Sequence, residues 1–328
     1  MSSPEKMGKP LATPHPATDD FVVTTADWVE FNCVFKTDQS VSREELKRAL
    51  MKTSKLRDAT AQTMASDVFL ELEDRIRVCG PRRNAVNSYP FLLNSTKTSL
   101  SIRYPFRSNS NVACLYWFLL FISRMNMDSK ARVLDSVDPT KVFEVLCADV
   151  LASFWAAGVT DSGTFVFGTA AAATQGAQKF RRNIEKLCGH VGEGGGWKAG
   201  APIPGGGDGK LDIVAWRKFS DGRAGNLVGF AQCKTGINWK EHLDKLQPAK
   251  FSRKFMLQPF VVEPVRLYMV PSRIGGDRWP EHTDRGGILL DRCRITQYGD
   301  KVRAVTLGQC RKWIRAAIKK QRNQLPKK

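Results

Sequence analysis

Two short apolar runs, LDIVAW (211–216) and LVGFAQCK (227–234), limit what this chain can fold into more than any other part of it. Both have strand length, and the segment between them holds the turn residues Asp221 and Gly222, so together they predict a β-hairpin with a longer loop. Side chains alternate across a strand, which puts Gln232 and Lys234 on one face and Cys233 on the other. Asp212 interrupts the neighbouring run in the same way, and pairing of the two strands would bring its carboxylate to Gln232 and Lys234 across the ladder. One carboxylate, one amide oxygen and one ammonium then converge. The plain alternative is an ion pair between Asp212 and Lys234 at the end of a sheet.

The convergent set suits phosphodiester cleavage. Mg²⁺ takes oxygen ligands, keeps several waters and is commonly held by one or two carboxylates plus substrate phosphate, which Asp212 and the Gln232 side-chain oxygen can supply, with Mn²⁺ as a substitute. Lys234 would orient or deprotonate the attacking water, or balance charge developing on the phosphate oxygens.

Around the hairpin, local signals predict alternating elements. Asp138 followed by Pro139 caps a helix running to Ala157, where Gly158 ends it. A second helix is expected from Gln175 to Leu187, then a glycine-rich loop over 192–209. After the hairpin come a helix from Trp239 to Gln247, a strand VRLYMV (265–270), a strand ILLDRCRI (288–295) and a closing helix from Leu307 to Gln321. The order is helix, strands, helix, strand. Upstream, Ser42 and Glu45 form a capping box for a helix to about Lys52, and Met64, Val68, Leu72 and Ile76 mark another from Ala59 to Cys79, stopped by Gly80 and Pro81. SYPFLL and SLSIRY read as short β runs, and Val112 to Met127, apolar nearly all round, reads as a buried helix. The expected organisation is a flexible tail over 1–20, a mainly helical domain over 21–135 and an α/β domain over 136–328.

Charge points to the partner. With 51 Lys and Arg against 32 Asp and Glu, the net charge of +19 favours a polyanion, because neutralised phosphates release counterions. The longest apolar run, Val112 to Ile122, falls short of the roughly 20 residues a membrane helix needs, and the N-terminal stretch lacks the apolar core of a signal peptide. The cysteines form no CxxC pair and no short zinc-like spacing, so they are expected to be reduced, mostly buried thiols in a cytoplasmic protein. The glycine runs at 194–196 and 205–207 lack the context of a phosphate-binding P-loop, and His190, His242 and His282 show no spacing that assigns them a role.

GDGKLDIVAW and AQCK resemble the G-D-G-x-x-D and Q-x-K strands of the PD-(D/E)xK, restriction-endonuclease-like superfamily, in the variant similar to Mrr-type restriction endonucleases. The resemblance covers roughly residues 138–295 and implies an α/β restriction-endonuclease-like fold, a central mixed β-sheet flanked by helices, behind the mainly helical N-terminal domain. It implies catalytic roles for Asp212, Gln232 and Lys234, with Asp212 and Gln232 on the metal. The family also carries an acid on the preceding helix in an F-E-x-L pattern, and KVFEVL offers Phe143 and Glu144, so Glu144 is the candidate third metal ligand. Because some 40 residues and a further helix separate Glu144 from the glycine loop, Glu185 and Glu193 are its rivals. Asp208 reads as a turn residue before it reads as an outer metal contact.

The activity implied is metal-dependent hydrolysis of DNA by an endonuclease, in a restriction or anti-phage setting, with RNA as an alternative substrate and no membrane partner. Self-association and an accessory defence protein both stay open. The rival function is a nucleic-acid-binding module that keeps the fold without turnover. For backbone contact, RKWIRAAIKKQRNQLPKK predicts a helix whose apolar face holds Leu307, Cys310, Trp313, Ile314 and Ala317 and whose outward face carries Arg311, Lys312, Arg315, Lys319 and Lys320.

Overall fold

The computed structural model describes residues 13–18, 20–79, 89–107, 110–128, 130–156, 161–168, 176–202 and 209–324. The expected helix ends at Gly80 and Gly158, the helix start at Gln175, Asp208 and most of the N-terminal tail lie outside the described residues. Within the tail, residues 13–18 are placed, with Thr13 and Thr53 sharing a hydroxyl hydrogen bond of 2.6 Å.

The chain is an α/β protein with a mixed five-stranded sheet and a helical N-terminal region. That region comprises α1 (Phe21–Cys33), α2 (Arg43–Ser54), α3 (Asp58–Val78) and α4 (Asn111–Arg124), beside a small antiparallel sheet of β1 (Ser40–Ser42), β2 (Phe91–Leu93) and β3 (Ser99–Ile102). The capping box forms, with Glu45 N–H on Ser42 Oγ at 3.1 Å and Ser42 N–H on Glu45 Oε2 at 2.8 Å, so α2 starts where the sequence predicts. α4 is buried on all sides from Ala113 to Ile122, as its uniform apolar character requires.

The second half opens with α5 (Pro139–Ala156), its first turn capped by Asp138, whose Oδ1 accepts Thr140 N–H at 3.0 Å. β4 (Ser162–Val166), α6 (Gly176–Val191), β5 (Ile213–Arg217), β6 (Leu227–Cys233), α7 (Pro248–Phe255), β7 (Val265–Met269), α8 (Trp279–Gly286), β8 (Ile288–Leu290), α9 (Arg292–Gln297) and α10 (Ala304–Arg322) follow. The strands lie in the order β4-β5-β6-β7-β8, antiparallel from β4 to β6 and parallel from β6 to β8. The hairpin of β5 and β6 is thus the centre of the sheet.

Two predicted elements are corrected. Residues 239–247 form only a short 3₁₀ turn, Trp239–His242, and the helix begins later at Pro248, whose fixed φ and missing N–H suit a first helical turn. The strand predicted over 288–295 ends at Leu290, because Asp291 Oδ1 accepts Arg294 N–H at 3.0 Å and caps α9. The all-thiol expectation also fails at one pair, since Cys79 and Cys293 form a disulfide between the end of α3 and α9. The other six cysteines are free and buried. Partners 214 positions apart leave no local spacing to read.

One apolar core runs from Phe31 of α1 through Phe118 of α4 and Leu151 of α5 to Ile213 and Ala231 of the sheet and Trp313 of α10, crossing residue 135 without a break. A second core packs the opposite sheet face, with Val214 and Phe230, against α6 and α7. No helix among the described residues is long and apolar enough to cross a membrane.

Candidate functional site

The turn into β5 is held in one conformation. Gly209 has φ +60°, and a Cβ there would come within 2.8 Å of the Phe251 ring; Lys210 follows in the left-handed region at φ +72°, which disfavours a side chain and marks a constrained turn. Asp212 leaves that turn with its backbone pinned on both sides. Its N–H donates to Ala231 O at 3.0 Å, and its carbonyl accepts from Phe167 and Gly168 at 2.8 and 3.0 Å. The carboxylate replaces a carbonyl in the ladder, as Oδ2 accepts Cys233 N–H at 2.7 Å. A Cβ at Gly168 would lie 2.8 Å from Oδ1, so the missing side chain is what leaves room for that oxygen. Neither Gly168 nor Phe167 carries a motif that the sequence could flag.

Gln232 is the unusual member of the set. It is 0% exposed, yet neither Oε1 nor Nε2 has a hydrogen-bond partner among the described residues. Its register neighbour Tyr268 does not help, because that hydroxyl donates to Trp239 O at 2.7 Å. An orphaned buried amide costs about 1–3 kcal/mol. Lys234, two residues on, is half-buried with its N–H on Met269 O at 3.0 Å. Its charge reaches His242, which burial, then the Lys245 and Lys234 ammoniums, hold below the usual histidine range.

Strand alternation and the membership of the two cores place Asp212, Gln232 and Lys234 on the α7 side of the hairpin. α5 packs on the other face, where Cys147 is the hydrogen-bonded neighbour of Cys233. Glu144 lies one turn before Cys147, half-buried. Burial pushes both thiols up; the charges of Glu144 and Asp212 push the same way, so both carboxylates lie within electrostatic range of one pair of sulfurs. Protonated thiols are poor nucleophiles and poor metal ligands.

The two rival acids are engaged elsewhere. Glu185 pairs with Arg181 at 3.0 Å across one helical turn. Glu193, set among glycines, is buried and accepts from the N–H groups of Gly225, Asn226 and Val261 at 2.8, 3.0 and 3.3 Å, clamping the far end of the hairpin. The positive φ of Gly192, Gly194, Gly195 and Gly196 lets the loop wrap that carboxylate.

Among the described residues no group of three or more His, Cys, Asp or Glu side chains is arranged to hold a metal ion. A cation at this place would rest on the oxygens of Asp212 and Gln232, with Glu144 as the candidate third ligand, and on water and phosphate for the rest, a donor set that suits a hard divalent ion.

On α10 the five expected residues divide. Trp313 and the rest of the predicted apolar face are buried, and Arg315 and Lys319 are exposed. Arg311 Nη2 donates to Asn111 Oδ1 at 2.9 Å, Lys320 Nζ donates to Ala131 O at 3.0 Å, and Lys312 lies 3.7 Å from Asp135. Comparison with protein-family models, curated proteins and solved structures finds no match for this chain.

Proposed function

We propose that this chain is a metal-dependent nuclease of the PD-(D/E)xK type that hydrolyses phosphodiester bonds of DNA. The observation that carries the reading is Gln232, a fully buried amide without a hydrogen-bond partner among the described residues, beside a carboxylate fixed by backbone hydrogen bonds and two residues from a half-buried lysine. A purely structural strand would place an apolar residue there. The order helix, antiparallel strands, helix, parallel strand, with the polar set at the end of the two central strands, is compatible with a restriction-endonuclease-like sheet.

In this mechanism Asp212, the Gln232 oxygen and Glu144 would hold Mg²⁺, or Mn²⁺ in its place, and the ion would supply Lewis acidity towards the scissile phosphate and a bound water. The carboxylate of Asp212 cannot swing away, because Cys233 N–H fixes one oxygen and leaves the other facing the gap at Gly168. Lys234 donates to the attacking water or to a phosphate oxygen, offsetting negative charge as it builds. Glu144 is favoured because it acts on the same Cys147–Cys233 pair as Asp212, whereas Glu185 pairs with Arg181 and Glu193 holds the far end of the hairpin.

Purified protein incubated with plasmid, linear duplex, single-stranded DNA and RNA, in Mg²⁺, Mn²⁺ or EDTA, tests the reading. Cleavage of DNA that needs the metal, and falls by about 100-fold or more in Asp212→Asn and Lys234→Ala, is the expected outcome. Binding without cleavage under every condition would instead identify a nucleic-acid-binding module. Cleavage at the wild-type rate by either variant would remove the site.

A further inference from the structure

Three lysines from two elements gather beside the candidate site. On α6, Lys179 and Lys186 flank Asn183, whose Nδ2 donates to Phe167 O at 3.0 Å, and Phe167 N–H in turn donates to Asp212 O at 2.8 Å. This stretch of α6 is therefore two hydrogen bonds from the backbone carbonyl of Asp212. On α5, Lys141 lies one turn before Glu144. Lys179 lies within electrostatic range of both other lysines, since burial, then Lys141 and Lys186, hold it below the usual lysine range. Lys141 and Lys186 are exposed and have no ion pair among the described residues. The two layers that sandwich the sheet thus present like charges around the end where Asp212 sits.

Gathering like charges costs free energy that a polyanion offsets by displacing counterions. The neighbouring exposed residues of α6 are Gln178, Arg181, Arg182 and Glu185, while its apolar residues Phe180, Ile184 and Leu187 point into the second core. Among the described residues of this stretch of α6, no exposed side chain is a large apolar one of the kind that enters a lipid layer. On α10, Arg311, Lys312 and Lys320 face groups of the same chain, whereas Lys141 and Lys186 have no ion pair among the described residues.

We infer that Lys141, Lys179 and Lys186 form a phosphate-binding surface for duplex DNA that leads the backbone to the Asp212 end of the sheet. The inference rests on the nuclease reading for what happens there, but binding can be measured without it. The experiment follows a fluorescent duplex by anisotropy in EDTA across a salt series. It compares the wild-type protein with Lys141→Gln/Lys179→Gln/Lys186→Gln and with Arg315→Gln/Lys319→Gln on α10. Loss of three phosphate contacts is expected to weaken binding by about tenfold or more and to flatten the slope of log K against log salt by about 2.7. If the triple variant does not retain the wild-type circular dichroism, Lys141→Gln/Lys186→Gln, which touches only exposed side chains, is expected to flatten the slope by about 1.8.

An unchanged slope overturns the proposal, as does absence of duplex binding by the wild-type protein. A loss that follows the α10 variant alone also overturns it, and so does an effect confined to phosphatidylserine vesicles. Normal salt-dependent binding by a chain that cuts nothing in Mg²⁺ would retire the nuclease reading and keep this surface. Cleavage with an unchanged slope in the triple variant would do the reverse.

Discussion

Two polar clusters lie inside this protein, and they are built on opposite principles. In the first, Arg75 of α3 meets Asp27 and Glu30 of α1 at 2.7 and 2.9 Å, and Arg292 of α9 meets the same two acids at 2.7 and 3.3 Å. Tyr89 and Tyr116 each donate to Glu30 Oε1, at 2.9 and 2.8 Å, and Arg292 also donates to Pro271 O and Ser123 Oγ. Burial alone would raise the Asp27 carboxyl, but Arg292 and Arg75 overcome that and hold it far below the usual range. The Glu30 carboxyl is instead pushed up, because burial outweighs the same two arginines, and the cluster ties α1, α3 and α4 to α9. In the second, the amide of Gln232 has the same complete burial and no hydrogen-bond partner among the described residues. The charges of the first cluster find their partners within the chain; the second is left open. A polar group in a core is therefore weak evidence of function, whereas one that stays unsatisfied asks for a ligand.

The largest effect should come from breaking the closed cluster. Arg292→Ala leaves Asp27 and Glu30 buried with only part of their positive charge, and is expected to cost about 3–5 kcal/mol. Urea unfolding would show it as a lower midpoint, and a loss under about 1 kcal/mol would mean that the cluster is not a closed unit. The open cluster should answer in the opposite sense. Gln232→Leu removes an orphaned amide and keeps the volume similar, so the fold is expected to gain about 1–3 kcal/mol while cleavage is lost. Lower stability in Gln232→Leu would show that the amide is satisfied in solution, and the contrast between the clusters would fail.

Much of this was legible locally. The hairpin, the Ser42–Glu45 box, the Asp138 cap and the buried α4 are all written in short-range pattern, and each lies where that pattern puts it. What could not be read depends on distant partners. α1 shows no outward polar stripe because Asp27 and Glu30 face inward to arginines some 48 to 265 positions away. β4 is short and glycine-containing, and exists as a strand through its pairing with β5. ILLDRCRI alternates like a strand, yet Asp291 caps a helix and Arg292 turns into the core. In the site itself, the grouping of Gln232 and Lys234 followed from alternation, but the gap made by Gly168 and the orphaned state of Gln232 appear only once the neighbouring strands are placed.

His282 gives the smallest and sharpest test, because it is unsatisfied like Gln232 but lies away from the site. It is 1% exposed, packs edge-on against Trp239 at 5.1 Å, and neither ring nitrogen has a partner among the described residues. Burial first, and the Lys240 charge in the same sense, hold it below the usual histidine range. The folded state thus keeps the ring neutral while the unfolded chain takes up a proton below about pH 6.5. The stability it contributes is fully present above that value and is lost as pH falls towards the folded pKa, with a slope of at most about 1.4 kcal/mol per pH unit. His242 is shifted in the same direction, so a residual slope will persist when His282 is removed. His282→Leu is expected to leave stability at pH 7.5 unchanged or higher and to reduce the loss on going to pH 5.5, read from urea midpoints at the two pH values. An identical pH dependence in the variant would mean that the imidazole is protonated or solvated in the folded state. It would then no longer count as a second unsatisfied group against which to judge Gln232.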